Sequence, residues 1–377
     1  MIEVQDIFRE YGQEYLDRYK PPPHVRKVVR AVTGCRTAEL GGHIERCDEC
    51  EYIRIAYNSC RNRHCPKCQA LSKERWIAAR SGELLPVTYF HVVFTLPSEL
   101  HGIAFWNQTA MYNLLFRAAN ETIQELAADK KYLGAQVGLT EILHTWGQNL
   151  TYHPHVHIIV PGGGLSADGK WVNGRKNFFI PVKVMAKKFR GKFLYYLRQT
   201  KLEFRGSTEY LSDEIQLMNF IDSLYHKDWY VYCKRPFKTT HSVLEYLGRY
   251  THRVAISNHR IVSLSGGQVT FKWRDYKDGG KEKLITVSAL EFIRRFLLHV
   301  LPTGFTKIRH YGFLASAVKS VKLTLCFKLT NAKSIEQPLK NLSVAELMLT
   351  LTGRDITRCP LCGSSLARAS PASALTA

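Results

Sequence analysis

A chain of 377 residues, 45% hydrophobic and 23% charged, can bury a core and is long enough for two or three domains, which excludes a disordered or low-complexity protein. Its net charge of +21 exceeds what solubility requires and points to a polyanionic partner; nucleic acid is favoured over an anionic membrane, because no apolar run approaches the ~18–20 residues that span a bilayer. The acidic, polar start MIEVQDIFREYGQEY does not read as a signal peptide, and six of the ten cysteines crowd into residues 35–68, so a cytoplasmic, nucleoid-associated protein with metal-binding cysteines is expected.

Residues 5–33 carry helical periodicity broken by Pro21, Pro22 and Pro23, and the Cys/His-rich stretch follows. A helix over 72–85 stops at Pro86, and TYFHVVFTL (88–96), dense in β-branched and aromatic residues, reads as a strand. A long helix is predicted over 104–128, then strands over 137–150 and 153–160 and a Gly-rich turn at 161–164. The segment from Gly164 to Lys170 resembles a phosphate-binding loop but has Trp171 where a hydroxyl is needed, so a hairpin turn at Asp168 and Gly169 is expected. A basic helix (183–204), a shorter one (212–226), the strand DWYVYCKRPF (228–237) and a helix over 239–250 complete a βαββαβ order with an appended helix. This is an α+β split-βαβ, ferredoxin-like or RRM-like antiparallel sheet with helices, preceded by a small zinc-binding domain. Hairpins and helices are predicted over 254–310 and a frayed tail over the last ~20 residues. The expected division is 1–85 (helices and zinc module), 86–255 (split-βαβ core with the appended tyrosine-bearing helix), 256–358 (β-rich and helical extension) and 359–377 (cysteine pair and disordered tail).

Cys47-x2-Cys50 and Cys65-x2-Cys68, about 15 residues apart, have the spacing of a four-cysteine zinc ribbon. Cys35 with His43 and Cys60 with His64 interleave with them as a second set; the competing reading makes Cys35 and Cys60 buried thiols. Zinc would be structural here, because so small a domain has too little core to stand alone. Arg46, Arg54, Arg61 and Arg63 lie among the ligands and suggest DNA contact. Cys359-x2-Cys362 is a half-site whose partners must come from upstream or from another chain.

His153, His155 and His157 alternate in HPHVHIIV, so a strand puts them on one face, and two of them can ligate one ion. Tyr246 and Tyr250 are one helical turn apart in EYLGRYTHR and can address one site. A phenol needs a polarised phosphate before it acts as a nucleophile at neutral pH, and a metal on the histidines would provide that. Tyrosines at this spacing otherwise belong to an amphipathic core face.

The segments CRTAELGGH (35–43), SCRNRHCPKCQ (59–69), YFHVVFTLP (89–97), LHTWGQNL with HPHVHIIVPGGG (143–164), YLGRYTHRVAISNHRI (246–261) and FTKIRHYGFLA (305–315) resemble the HUH-endonuclease superfamily, within it the two-tyrosine rolling-circle transposases of the insertion sequence 91 family. The resemblance implies metal-dependent cleavage and rejoining of single-stranded DNA at element ends and target, through a 5′-phosphotyrosine and a free 3′-OH. It implies Mg²⁺ or Mn²⁺ on His155 and His157, and Tyr246 and Tyr250 as nucleophiles. Related enzymes take a third ligand from the adjacent strand, for which His144 is favoured and Gln148 is the rival. The alternatives are a rolling-circle replication initiator or relaxase, with the same chemistry, and a non-catalytic zinc-containing regulator, for which the tyrosine pair has no use.

For DNA contact, Lys187, Lys188, Arg190 and Lys192 form a basic helix interleaved with Phe189, Phe193, Tyr195 and Tyr196, which suggests a backbone-tracking surface with aromatics for base stacking. Arg249, His252, Arg253 and Arg260 surround the tyrosines and suit a clamp on the scissile phosphate. No helicase motif is visible, so any unwinding would come from host replication or helicase factors or from DNA structure itself.

Overall fold

A computed structural model describes residues 2–175, 179–234, 254–332 and 341–371 together with positions 237, 242, 243, 248 and 339. The chain divides into two units, one formed by Met1–Gly82, His252–Val300 and Glu336–Ala377, the other by Glu83–Thr251 and Leu301–Ile335. The expected extension over 256–358 is therefore shared between them.

The first unit opens with α1 (Val4–Tyr19) and α2 (Pro23–Thr33), the latter started by a proline in its first turn, where the missing N–H costs no hydrogen bond. Strands β1 (Gly42–Cys47) and β2 (Ile53–Tyr57) and helix α3 (Gln69–Ser81) follow.

The second unit carries β3 (Tyr89–Thr95), α4 (His101–Trp106), α5 (Gln108–Ala128), β4 (Gly138–Trp146), β5 (Tyr152–Pro161), the hairpin β6 (Gly163–Leu165) and β7 (Trp171–Asn173), α6 (Val182–Arg198), α7 (Glu214–Tyr225) and β8 (Val231–Lys234). The predicted 104–128 helix is two helices parted at Asn107, whose side-chain amide donates to the Ile103 carbonyl (3.0 Å). Gly169, at φ +77, turns the β6–β7 hairpin, as the Asp168-Gly169 pair suggested.

Strands β9 (Ile261–Ser265), β10 (Gln268–Asp275) and β11 (Lys281–Ser288) form a meander in the first unit, its first turn made by Gly266 and Gly267 at φ +54 and +71. A helix over Ala289–Leu297 packs back on α1, with Phe8 and Phe296 edge to face at 5.2 Å. Strand β12 (Ile308–Gly312) returns to the second unit. Strand β13 (Leu366–Pro371) pairs antiparallel with β1, so the segment expected to fray gives backbone hydrogen bonds to a three-stranded sheet ordered β13-β1-β2.

The five-stranded sheet of the second unit has the order β12-β4-β5-β3-β8, antiparallel throughout. Without β12 this is the split-βαβ arrangement: α5 carries the chain from β3 across to β4, and β5 fills the gap between them. Period-two alternation turns Phe90, Val92 and Phe94 of β3, Leu139 and Leu143 of β4, and Val156, Ile158 and Val160 of β5 into one core with α5 and α6. Each such large side chain contributes ~1.5–3 kcal/mol of burial, which holds the sheet rigid for whatever its other face carries.

Candidate metal centre and cysteine clusters

The face of the sheet opposite that core carries the histidines. Val156, Ile158 and Val160 occupy the core side of β5, so His155 and His157 point the other way. Antiparallel register sets His144 of β4 beside His155, and one ligand nitrogen from each of His144, His155 and His157 lies within 4.8 Å of the other two. His155 Nε2 and His157 Nε2 are 3.1 Å apart. Two nitrogens bound to one ion at ~2.1 Å stand ~3.0–3.4 Å apart for angles between octahedral and tetrahedral, so the donor set fits a divalent cation.

Outer contacts aim these rings. His155 Nδ1 lies 2.7 Å from the His153 carbonyl and must donate to it, which leaves Nε2 its lone pair. His157 Nδ1 lies 2.9 Å from Nε2 of His91, a β3 residue only 4% exposed. Burial, with Lys234 and His155 nearby, pushes the His91 pKa down to about 3. A neutral His91 can accept from His157 Nδ1–H, and that tautomer keeps His157 Nε2 open. His144, 2% exposed, stacks on Trp146 at 4.6 Å and 17°. His91 was not singled out from sequence, although its parity with Val93 and Thr95, which face His157 and His155 across the ladder, would have found it.

Gln148 lies outside this strand geometry. The register of β4 shifts between His144 and Trp146 and the strand ends at Trp146, so the alternation that placed Gln148 beside His144 does not extend to it. His153 packs edge-on against His101 at 5.6 Å, and burial lowers its pKa.

The cysteines form two clusters, grouped otherwise than their spacing suggests. Cys35, Cys60, Cys65 and Cys68 make one, with Sγ–Sγ distances of 3.6 Å from Cys68 to Cys35 and to Cys60. The other takes Cys47 and Cys50 with Cys359 and Cys362. The four-cysteine set built from Cys47, Cys50, Cys65 and Cys68 is thereby replaced, because β13 brings a distant Cys-x2-Cys to the first pair and leaves the second to Cys35 and Cys60. His43 and His64 belong to neither cluster; His43 Nε2 lies 3.2 Å from Glu45, and the His64 amide donates to Asn62 (2.9 Å). The Cys65 thiol is lowered to about 5, chiefly by hydrogen bonding from Cys60, as suits a metal-binding thiolate. Gln5 of α1 braces the first cluster by donating to the Thr33 and Cys35 carbonyls (2.7 and 2.8 Å). Arg46 pairs with Glu51 at 2.9 Å and Arg54 with Glu45, so both guanidinium groups have partners inside the module.

The basic helix α6 is also more internal than its charges suggested. Phe189 and Phe193 are fully buried, which removes them from base stacking, whereas Tyr195 is 57% exposed. Lys188 pairs with Glu125 (2.7 Å), Lys192 with Glu121 (3.1 Å), and Arg190 donates to the Lys227 carbonyl (2.8 Å); Lys187 is exposed. Arg260 is 9% exposed and its Nε donates to the Lys272 carbonyl (2.7 Å), a buried structural contact where a phosphate clamp was expected. Tyr246, Tyr250, Arg249, His252 and Arg253 lie outside the described residues. No helix among the described residues is long and apolar enough to cross a membrane.

The family described as "Putative transposase" matches residues 138–322, which include the three histidines, and the one described as "Transposase zinc-binding domain" matches residues 7–96. "Putative transposase y4qJ" of Sinorhizobium fredii is 47% identical over 369 residues, 96% of this chain and 92% of that protein. The transposase for insertion sequence element IS801 of Pseudomonas savastanoi pv. phaseolicola is 27% identical over 356 residues, 93% of this chain and 84% of that protein. No solved structure matches significantly. With its zinc-binding module and its likeness to these proteins along nearly its whole length, the chain belongs to the transposases of the insertion sequence 91 family, which act on DNA.

Proposed function

We propose that this transposase cuts and rejoins single-stranded DNA at the ends of its insertion sequence through a 5′-phosphotyrosine, using Tyr246 and Tyr250 and a divalent cation, Mg²⁺ or Mn²⁺, on His144, His155 and His157. The observation that carries this reading is the convergence of three imidazole nitrogens within 4.8 Å on one face of a rigid sheet. A cation bound there supplies Lewis-acid polarisation of the scissile phosphodiester. The three imidazoles hold a fixed triangle because His144 is stacked, His155 is fixed by the His153 carbonyl and His157 by His91. His155 is the most exposed of the three, so the triangle has an open side for a phosphate.

The phenol oxygen of one tyrosine attacks phosphorus as its proton passes to solvent. The O–P bond forms as the bond from phosphorus to the 3′-oxygen breaks, and the released oxygen takes up a proton to become the 3′-OH. Attack by a 3′-OH on the phosphotyrosine reverses the step and restores a phosphodiester. Two nucleophiles suit two linked transfers: one tyrosine holds the first 5′ end while the other cuts the second. The cluster of Cys35, Cys60, Cys65 and Cys68 holds structural zinc with no open coordination position, so it serves the fold of the module and not the chemistry.

The test is incubation with labelled single-stranded oligonucleotides from the element's ends in Mg²⁺ or Mn²⁺, with mass spectrometry of the adduct peptide. Each single Tyr→Phe variant should still form adduct and the Tyr246→Phe/Tyr250→Phe double variant should form none. Attachment to any other residue would overturn the assignment.

A further inference from the structure

We infer that the chain holds a second zinc in a split ribbon, bound by Cys47 and Cys50 together with Cys359 and Cys362. The matched zinc-binding domain ends at residue 96, so half of this site lies outside it. The ligand pairs are 315 and 309 residues apart, with Cys47 Sγ 3.4 Å from Cys362 and Cys50 Sγ 3.5 Å from Cys359. Four thiolates around one zinc at ~2.3 Å form a tetrahedron with edges of ~3.8 Å, and the four sulfurs lie within 4.8 Å of one another.

The backbone of the two half-sites is the stronger argument. In the first, the Cys47 amide donates to the Tyr52 carbonyl (2.9 Å) and the Glu51 amide to the Cys47 carbonyl (3.1 Å); in the second, Cys359 donates to Ser364 (2.7 Å) and Gly363 to Cys359 (3.0 Å). The residue after the second cysteine takes positive φ in both, +57 at Glu51 and +79 at Gly363. Two distant segments thus form the same turn, and the Leu361 amide points at the Cys359 sulfur (3.4 Å), as it does toward a metal-bound thiolate. Glu51 adopts a conformation that favours glycine, a cost that a turn shaped to present sulfur can offset. The pairing of β13 with β1, and an Arg54 hydrogen bond to the Ile356 carbonyl (2.7 Å), bring the second turn to the first. Zinc at this site requires the downstream segment, so the module is complete only when residues 359–362 are in place.

The test is zinc content by native mass spectrometry of the full chain purified without chelator. Wild type should carry two zinc ions, and Cys359→Ser/Cys362→Ser and Cys47→Ser/Cys50→Ser one each. One zinc in wild type, or two in the Cys359→Ser/Cys362→Ser variant, overturns the proposal. Alkylation mapping of the zinc-loaded wild type needs no variant to fold. Cys47, Cys50, Cys359 and Cys362 should be protected and should become reactive together as chelator is added. Free labelling of Cys359 and Cys362 while Cys47 and Cys50 stay protected also overturns it.

Discussion

Replacing His91 by alanine should weaken metal binding at the proposed histidine site without removing any of its three imidazoles. The His91 ring accepts from His157 Nδ1 at 2.9 Å, and His157 is itself 7% exposed, so no solvent stands ready to replace that acceptor. A buried N–H left without a partner costs ~1–3 kcal/mol. The cost falls mainly on the metal-bound state: free His157 can move its proton to Nε2, whereas ligation through Nε2 fixes it on Nδ1. Loss of an outer partner of this kind typically lowers metal affinity 10–100-fold, or ~1.4–2.7 kcal/mol. Mn²⁺ titration followed by electron paramagnetic resonance reads this directly, independent of DNA cleavage. His91→Gln, which can offer a carbonyl acceptor, should recover part of the loss. Wild-type Mn²⁺ affinity in His91→Ala would refute the reasoning.

His155→Ala should abolish cleavage while changing DNA affinity less than ~3-fold, because affinity rests on phosphate contacts with basic residues; retained nicking would remove His155 from the site. Glu141 is fully buried with neither carboxyl oxygen hydrogen-bonded, and burial raises its pKa well above the ordinary value although Arg309 opposes this. The folded state therefore keeps a proton that the unfolded state releases, so this contribution to stability is present below the unfolded pKa of ~4.3 and is lost as pH rises toward the folded value. Glu141→Gln removes that loss, so its advantage over wild type in urea unfolding should be larger at pH 8 than at pH 5; an equal advantage at both would count against a buried, protonated carboxyl. Gly312 sits at φ +61 where an added Cβ would meet the Val137 carbonyl oxygen at 1.7 Å, so Gly312→Ala should cost ~2 kcal/mol or more in thermal or urea unfolding, and an unchanged midpoint would show that β12 can move.

What could be read from the sequence was whatever repeats at short range. The alternation in HPHVHIIV placed His155 and His157 on one face because every second position was an apolar core residue, and strand register then only had to bring His144 alongside. The choice between His144 and Gln148 stayed open because parity counts only as far as the strand runs, and a register shift before Trp146 is invisible in composition. Charge on α6 was legible but its partners were not, since Glu121 and Glu125 lie on a helix about 70 residues upstream.

The cysteines show the same limit more sharply. Spacing reports which thiols are paired locally, and both Cys47/Cys50 and Cys65/Cys68 are local pairs in the structure. It carries no information about which pair closes on which, and the partner of the first lies 309 residues away, in a turn just ahead of a segment expected to fray. Pairing of the tail with β1 and completion of the second cysteine cluster support one another, because the strand that adds the backbone hydrogen bonds follows directly on the turn that carries the sulfurs. Neither gain is visible without the other: LARASP has no β-branched or aromatic residue to mark it as a strand, and two thiols without their partners are a half-site.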